Sequence, residues 1–207
     1  MAARSSAARG TGRGYVTTER EDRMAKVIVG MTISVDGFAA DRHGSAGPLY
    51  PDLADLRDTD YMQAMIHETG AVLMGRRAFE MADPDWYVGN YELQVPIFVV
   101  THEPPNVPPK QDEHLTFTFV TDGLESAVAQ ATQAAGDGAV LVIGGVTFAR
   151  AVLRAGLADE LRIDVMPVLL GAGRRLFDDI DLSRVHLEKL IVHEVGPRTS
   201  LTFRVLK

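Results

Sequence analysis

Short apolar runs, each ending at a glycine or a polar loop, set narrow limits on the fold of this chain. The runs include KVIVGMTIS, AVLMG, PIFVV and AVLVIGG. Their length and their content of β-branched residues suit strands buried on both faces of a sheet. Segments of helical periodicity separate several of them, as in LESAVAQATQAA and VTFARAVLR. This alternation predicts a largely parallel sheet with helices on its faces.

The predicted elements begin with a strand from Val27 to Val35 and a helix from Leu53 to Gly70. Strands then follow over AVLMG, Pro96 to Thr101, Leu115 to Val120 and AVLVIGG, with helices after Gly75, Gly123 and Gly145. The last part of the chain breaks this rhythm with ELRIDVMPVLLG, HLEKLIVHEVG and TSLTFRVLK. Only a short Gly196-Pro197 turn separates the last two, so they are predicted to pair as an antiparallel hairpin.

The bulk composition excludes several classes of function. The net charge is −7 and no basic stretch alternates with aromatic residues, which argues against nucleic acid as the main partner. The absence of cysteine excludes disulfides and a thiol nucleophile, and the six histidines lack a paired metal spacing, so we expect no metal site. No apolar run is long enough to span a bilayer, and we expect a cytoplasmic protein without membrane partners.

The first 23 residues differ from the rest of the chain. Residues 1–23 are rich in Ala, Ser, Gly and Arg, with little that could be buried. We therefore predict a disordered tail over 1–23 and one mixed α/β domain over 24–207.

A glycine and two arginines follow the AVLMG strand. Gly75 would let the backbone approach a ligand, and a helix starting at Arg76 aims free N–H groups at it. Arg76 and Arg77 on the first turn of a helix are electrostatically unfavourable unless an anion lies there. The alternative is that both are solvated surface charges.

Two other strand ends carry residues of the same kind. Gly144, Gly145, Val146 and Thr147 connect a buried strand directly to a helix, either to cradle a pyrophosphate or only to form a tight turn. The pair at 101–102, Thr101 and His102, could contact a ribose or a phosphate. Ends of parallel strands share one crevice, so together these segments predict a dinucleotide site. The arginine pair suits a 2′-phosphate and favours NADPH over NADH.

Candidate acids are fewer. Asp36 and Asp60 are the carboxylates considered for catalysis, with a turn residue and a helix-surface charge as the respective alternatives. Trp86 and Tyr87 could form a wall for a planar substrate, or could simply pack.

The chain resembles known reductases. VLMGRRAFE (72–80), IFVVTHEP (97–104) and VIGG (142–145) occur in the order and spacing of dihydrofolate reductases. TISVDGFAA (32–40) and PVLLGAGRRLF (167–177) are similar to the reductase domain of the bifunctional riboflavin-biosynthesis deaminase–reductase and its stand-alone relatives. The chain departs from dihydrofolate reductases at Ala78, where they usually carry Thr. Their acidic substrate-binding residue also falls, without gaps, on Thr59.

The resemblance implies an α/β fold with a mixed, mostly parallel eight-stranded sheet flanked by helices and a C-terminal antiparallel hairpin. It implies that Arg76 and Arg77 hold the 2′-phosphate of NADPH, helped by Thr101 and His102, and that residues 144–147 cradle its pyrophosphate. The nicotinamide would meet backbone groups of Thr32, Ile33 and Ser34.

The implied activity is hydride transfer from NADPH to a small heterocycle. The substrate would be a pterin or a ribosylaminopyrimidine, as in the reduction of 5-amino-6-(5-phosphoribosylamino)uracil. The alternative from another class is a non-catalytic nucleotide-binding or dimerisation module on the same fold. Because a sheet finished by the C-terminal strands has an edge to cover, we expect a homodimer. The charged residues on those strands favour a monomer as the competing possibility.

Overall fold

The computed structural model describes residues 25–178 and 181–206. Their strands are β1 (Val27–Ser34), β2 (Phe38–Ala40), β3 (Thr69–Gly75), β4 (Ile97–Val100), β5 (Phe117–Val120), β6 (Ala139–Val142), β7 (Glu160–Met166), β8 (Arg174–Arg175), β9 (His186–Val195) and β10 (Arg198–Leu206). The helices are α1 (Leu53–Arg57), α2 (Asp60–Glu68), α3 (Arg76–Phe79), α4 (Tyr87–Asn90), α5 (Leu124–Ala135) and α6 (Val146–Arg154), with short 3-10 turns at Gly47–Leu49 and Pro84–Trp86. The tail predicted over 1–23 lies outside the described residues.

Within these residues an eight-stranded sheet has the order β5-β4-β3-β6-β1-β7-β10-β9. The strands from β5 to β7 run parallel, and β10 is antiparallel to both β7 and β9. The prediction of a mostly parallel sheet with a C-terminal antiparallel hairpin is confirmed. A separate two-stranded ribbon, in which β2 pairs with β8, was not predicted.

Alternation along the buried strands divides the core between the two faces of the sheet. On β1, Val27 and Val29 pack with the buried alanines and valines of α5 and α6, whereas Ile28 faces a second cluster around Phe79 and Tyr87. Both faces of the central strands are therefore dry, which accounts for their uninterrupted apolar sequence. The carboxyl ends of the parallel strands remain available for a site.

Two predicted boundaries differ most from the structure, and local chemistry explains both. The helix expected from Leu53 to Gly70 is two helices, because Thr59 adopts an extended conformation and its hydroxyl accepts a hydrogen bond from the Met62 N–H at 3.2 Å as the N-cap of α2. The strand expected to continue beyond Met166 ends there, where Pro167 has no N–H for the ladder. Among the described helices, none combines the length and apolar character needed to cross a bilayer.

Candidate active site

A cavity of about 990 Å³ opens at the carboxyl ends of the parallel strands. Its volume is at the upper end of the range for small-molecule sites. The sequence-predicted residues among those that line it are Thr32, Gly75, Arg76, Arg77, Thr101, His102, Gly144, Gly145, Val146 and Thr147. The structure therefore brings together the strand-end segments that the sequence marks as a dinucleotide site.

One end of the cavity carries the arginine pair. α3 starts directly at Arg76, and its N-cap Gly75 makes no side-chain capping bond. Arg76 Nε donates to Glu80 Oε1 at 2.6 Å, and both side chains are about half exposed. Arg77 is exposed and makes no hydrogen bond or ion pair with any described residue. Arg77 is thus ready to bind an anion. Arg76 would first have to give up its solvent-exposed ion pair with Glu80, which costs little free energy because such pairs are weak.

The turn between β6 and α6 presents bare backbone to the cavity. Gly144 has φ +149°, and a Cβ there would lie 3.2 Å from the Cβ of Ala78. Gly145 is the N-cap of α6 without a side-chain cap, and its carbonyl accepts the N–H groups of Phe148 and Ala149. The N–H groups of Val146 and Thr147, in the first turn, have no intrahelical acceptor. The turn therefore offers unpaired donors and a positive dipole end to a phosphate.

The neighbouring strand ends complete this half of the cavity. Thr101 is buried, and its hydroxyl donates to the Glu103 carbonyl at 2.8 Å, so its proton is already engaged within a local turn. His102 is exposed and lines the cavity. Thr121 and Gly123, at the end of β5, line it too. Sequence reasoning missed these two residues, although they follow a predicted strand in the same way as Thr101.

The other half of the cavity is walled by tyrosines. Tyr50, Tyr87 and Tyr91 line it together with Thr32. Burial raises the pKa of the Tyr50 hydroxyl, and a hydrogen bond with Thr32 partly offsets this. Burial likewise raises the pKa of Tyr91. These hydroxyls stay protonated at neutral pH and can donate hydrogen bonds to a bound ring.

Comparison with known proteins identifies the family of the chain. The sequence matches the RibD C-terminal domain over residues 25–201. The chain belongs to this family. A related sequence, the uncharacterized protein YwjB of Bacillus subtilis, is 27% identical over 157 residues, covering 75% of this chain and 84% of YwjB.

Solved structures share the fold of this RibD C-terminal domain. A protein of Shewanella sp. PV-4 assigned to riboflavin biosynthesis has a TM-score of 0.69 at 22% identity, covering 88% of this chain and 99% of that one. Dihydrofolate reductase from Enterococcus faecalis, complexed with NADP(H), has a TM-score of 0.58 at 16% identity, covering 89% of this chain and 98% of that one. The predicted family and the dihydrofolate reductase-like fold are confirmed.

In this RibD C-terminal domain, Asp36 lies outside the cavity lining. Its carboxylate accepts hydrogen bonds from Ser34 Oγ at 2.5 Å and from the N–H groups of Leu170 and Gly171 at 3.1 and 2.7 Å. The Ser34 bond is the largest cause that lowers the pKa of Asp36 to about 2. Ser34 Oγ also accepts the Phe38 N–H. Asp36 therefore stays ionised and connects the turn after β1 to the loop after β7. This is the structural role in a turn that the sequence analysis gave as the alternative to catalysis.

The remaining predicted residues are dispersed. Asp60 is the exposed first residue of α2, where a carboxylate interacts favourably with the helix dipole. It does not line the cavity. Ile33 packs its side chain on the core beneath α5 and α6, so its predicted nicotinamide contact depends on its backbone. Of the two aromatic residues considered as a wall, Tyr87 lines the cavity and Trp86 does not.

A buried charge network backs the tyrosine wall. The Arg198 side chain is 1% exposed, and its Nε and Nη2 donate to both carboxylate oxygens of Asp52 at 3.0 and 2.6 Å. Arg198 Nη1 donates to Asp164 at 3.1 Å, and the Tyr61 hydroxyl donates to the other Asp164 oxygen at 2.9 Å. The Arg198 guanidinium lies 5.7 Å from the centre of the Tyr50 ring. The network fixes the loop that carries Tyr50 and leaves neither carboxylate unpaired.

Proposed function

We propose that this RibD C-terminal domain is an NADPH-dependent reductase that transfers a hydride to a small heterocyclic substrate. The observation that carries the proposal is one cavity with two contrasting halves. An arginine pair and an uncapped helix N-terminus form one half, and a tyrosine wall forms the other. The first half suits a phosphorylated dinucleotide and the second a planar ring.

The residues present fit NADPH. Arg76 and Arg77 would hold the 2′-phosphate with His102, and Gly144, Gly145 and the N–H groups of the first turn of α6 would hold the pyrophosphate. A side chain at Gly144 would crowd Ala78, which also lines the cavity. When bound, NADPH supplies the hydride; the chain positions the two reactants and shields them from water. The NADP(H) complex of the Enterococcus reductase supports this choice of cofactor.

The electrostatics of the lining narrow the choice of substrate. No Asp or Glu of the described residues lines the cavity, whereas arginines and histidines do. A cationic pyrimidine or pterin would find no carboxylate to pair with, so the cavity favours neutral or anionic acceptors. The hydroxyls of Tyr50 and Tyr91 can donate a hydrogen bond to the atom that becomes protonated. These features favour a ribosylaminopyrimidine-like substrate over a pterin.

Steady-state loss of NADPH absorbance tests the proposed activity. The panel contains ribosylaminopyrimidines, pterins and quinones, with an acceptor-free reaction as the control for slow oxidation. We expect acceptor-dependent oxidation with at least one ribosylaminopyrimidine. NADPH binding without turnover on any acceptor would instead support the alternative from the sequence, a non-catalytic nucleotide-binding module.

The homodimer also remains a proposal. β9 forms an edge of the sheet and exposes Leu187, Ile191 and Val192 by 43%, 47% and 50%. Such apolar side chains on an unpaired edge strand favour a symmetric contact. The cytoplasmic location stays a prediction from the sequence.

A further inference from the structure

The ribbon of β2 and β8 holds a short arginine-bearing strand above the cavity. Arg175 pairs with Phe38 and Arg174 pairs with Ala40. Gly173 has φ +140°, and a Cβ there would overlap the Ala40 carbonyl oxygen. Only glycine allows the two strands to approach so closely, so the placement of β8 is built into the sequence.

The two arginines of β8 have different surroundings. Arg175 is committed to the ribbon, since its guanidinium lies 4.4 Å from the Phe38 ring centre and donates to the Asp36 carbonyl at 3.0 Å. Successive residues of a strand point to opposite sides. Arg174 accordingly lines the cavity, and it makes no hydrogen bond or ion pair with any described residue.

A tight turn directly after β2 brings an imidazole to the cavity. The Asp41 carboxylate accepts the N–H groups of His43 and Ser45 at 2.8 and 2.9 Å, and these backbone bonds help to lower the pKa of Asp41. The Asp41 carboxylate is thus occupied by its own turn and does not line the cavity. His43 does line it, as Arg174 does.

Arg174 and His43 are separate from the Arg76–Arg77 pair. Arg76 and Arg77 follow β3, whereas the ribbon follows β1, and β6 lies between these strands in the sheet. The two pairs therefore enter the cavity from different strands.

We infer that Arg174 and His43 form a second oxyanion subsite, which binds a carboxylate or phosphate group carried by the substrate. The inference rests on the proposed function, because it assigns the first pair to the cofactor. Arg174 supplies a planar fork for two oxygens, and His43 adds a ring N–H donor. The substrate would then lie between the tyrosine wall and the ribbon, with its anionic group beneath β8.

The test is a titration followed by the amide resonances of residues 43 and 173–174. The protein is the Arg76→Ala/Arg77→Ala variant without cofactor, so the other arginines cannot bind the probe. Inorganic phosphate and acetate are the probes. We expect saturable shifts with at least one of them, and the probe that binds more tightly identifies the anionic group. Absence of a saturable shift with both probes overturns the inference.

Added substitutions locate the binding. Arg174→Gln should weaken binding at least about tenfold, the loss expected for a charged hydrogen bond. Arg174→Lys should recover part of it, and Arg154→Gln, at the exposed end of α6, should have no effect. Equal binding in the Arg174→Gln variant overturns the subsite.

A separate measurement keeps this result distinct from the cofactor proposal. NADPH affinity is determined for the otherwise wild-type protein and for its Arg174→Gln variant. We expect equal affinities, and a weaker NADPH affinity in the variant would assign Arg174 to the cofactor and overturn the subsite. If the wild-type protein binds no NADPH, the proposed function fails, while the titration of cofactor-free protein still decides whether the oxyanion subsite exists.

Discussion

Replacement of Arg198 by Met tests whether the buried charge network stabilises the domain. The change keeps a long side chain but removes the guanidinium between Asp52 and Asp164, whose side chains are only 10% and 13% exposed. Removing one partner of a buried ion pair costs about 3–5 kcal/mol, because the remaining charges lose their compensation. For a chain of this size that corresponds to a fall in Tm of about 6–20 °C.

Urea denaturation at pH 7, followed by circular dichroism, measures the loss. The variant Arg198→Lys keeps a charge but not the two-pronged geometry, and we expect it to lie between the wild type and Arg198→Met. Combining Arg198→Met with Asp52→Asn and Asp164→Asn should recover part of the stability, since no unpaired carboxylate then remains. A loss below about 1 kcal/mol for Arg198→Met would refute the reasoning.

The pH dependence of the same variant has a definite sign. Arg198 lowers the pKa of Asp52 below its ordinary value of 3.8. The stability this gives is present above that value and is lost as the pH falls through the lowered pKa. The difference between the wild type and Arg198→Met should therefore be full at pH 7 and shrink below about pH 4. A difference that stays constant down to pH 3 would contradict the assignment to Asp52 ionisation.

Three further outcomes are expected. Asp36→Asn should lower Tm at pH 5–7, because the amide cannot accept all the hydrogen bonds of the carboxylate. Since the pKa of Asp36 is about 2, this loss of Tm should fade only as the pH drops from 3.8 towards 2. Differential scanning fluorimetry measures both effects. Deletion of residues 1–23 should leave Tm and NADPH affinity unchanged, and a drop of several degrees would show that the tail docks on the domain. Light scattering behind a sizing column should give a dimer for the wild type and a mass near 22.5 kDa for Val192→Glu; a wild-type mass of 22.5 kDa would exclude the homodimer.

The central strands of the sheet were predictable because they are buried on both faces. Short uninterrupted apolar runs such as AVLV (β6) indicate strands that are buried on both faces, and the glycines that follow them indicate turns. The ribbon was not predictable, since its strands have three residues and two residues and form only because distant segments meet. Strands this short carry no periodic signal.

The residues of the candidate site also differ in how well the sequence could predict their positions. Arg77, Gly144 and Thr147 follow strands, so the strand order places them at one crevice. Tyr50 follows the short 3-10 turn Gly47–Leu49, and its ring lies near Arg198, a residue far along the chain. The sequence could not show how the Asp36 carboxylate is held, because its partners Leu170 and Gly171 lie 134 and 135 residues away.

Calorimetric titration of NADPH and NADH into the wild type and the Arg76→Ala/Arg77→Ala variant tests the central claim most directly. Each charged hydrogen bond to the 2′-phosphate contributes about 1.5–3 kcal/mol, so the variant should lose roughly a hundredfold or more in NADPH affinity. NADH affinity should hardly change, and Arg154→Ala should bind both cofactors as the wild type does. Equal losses for NADPH and NADH, or no loss for either, would contradict the assignment of Arg76 and Arg77 to the 2′-phosphate.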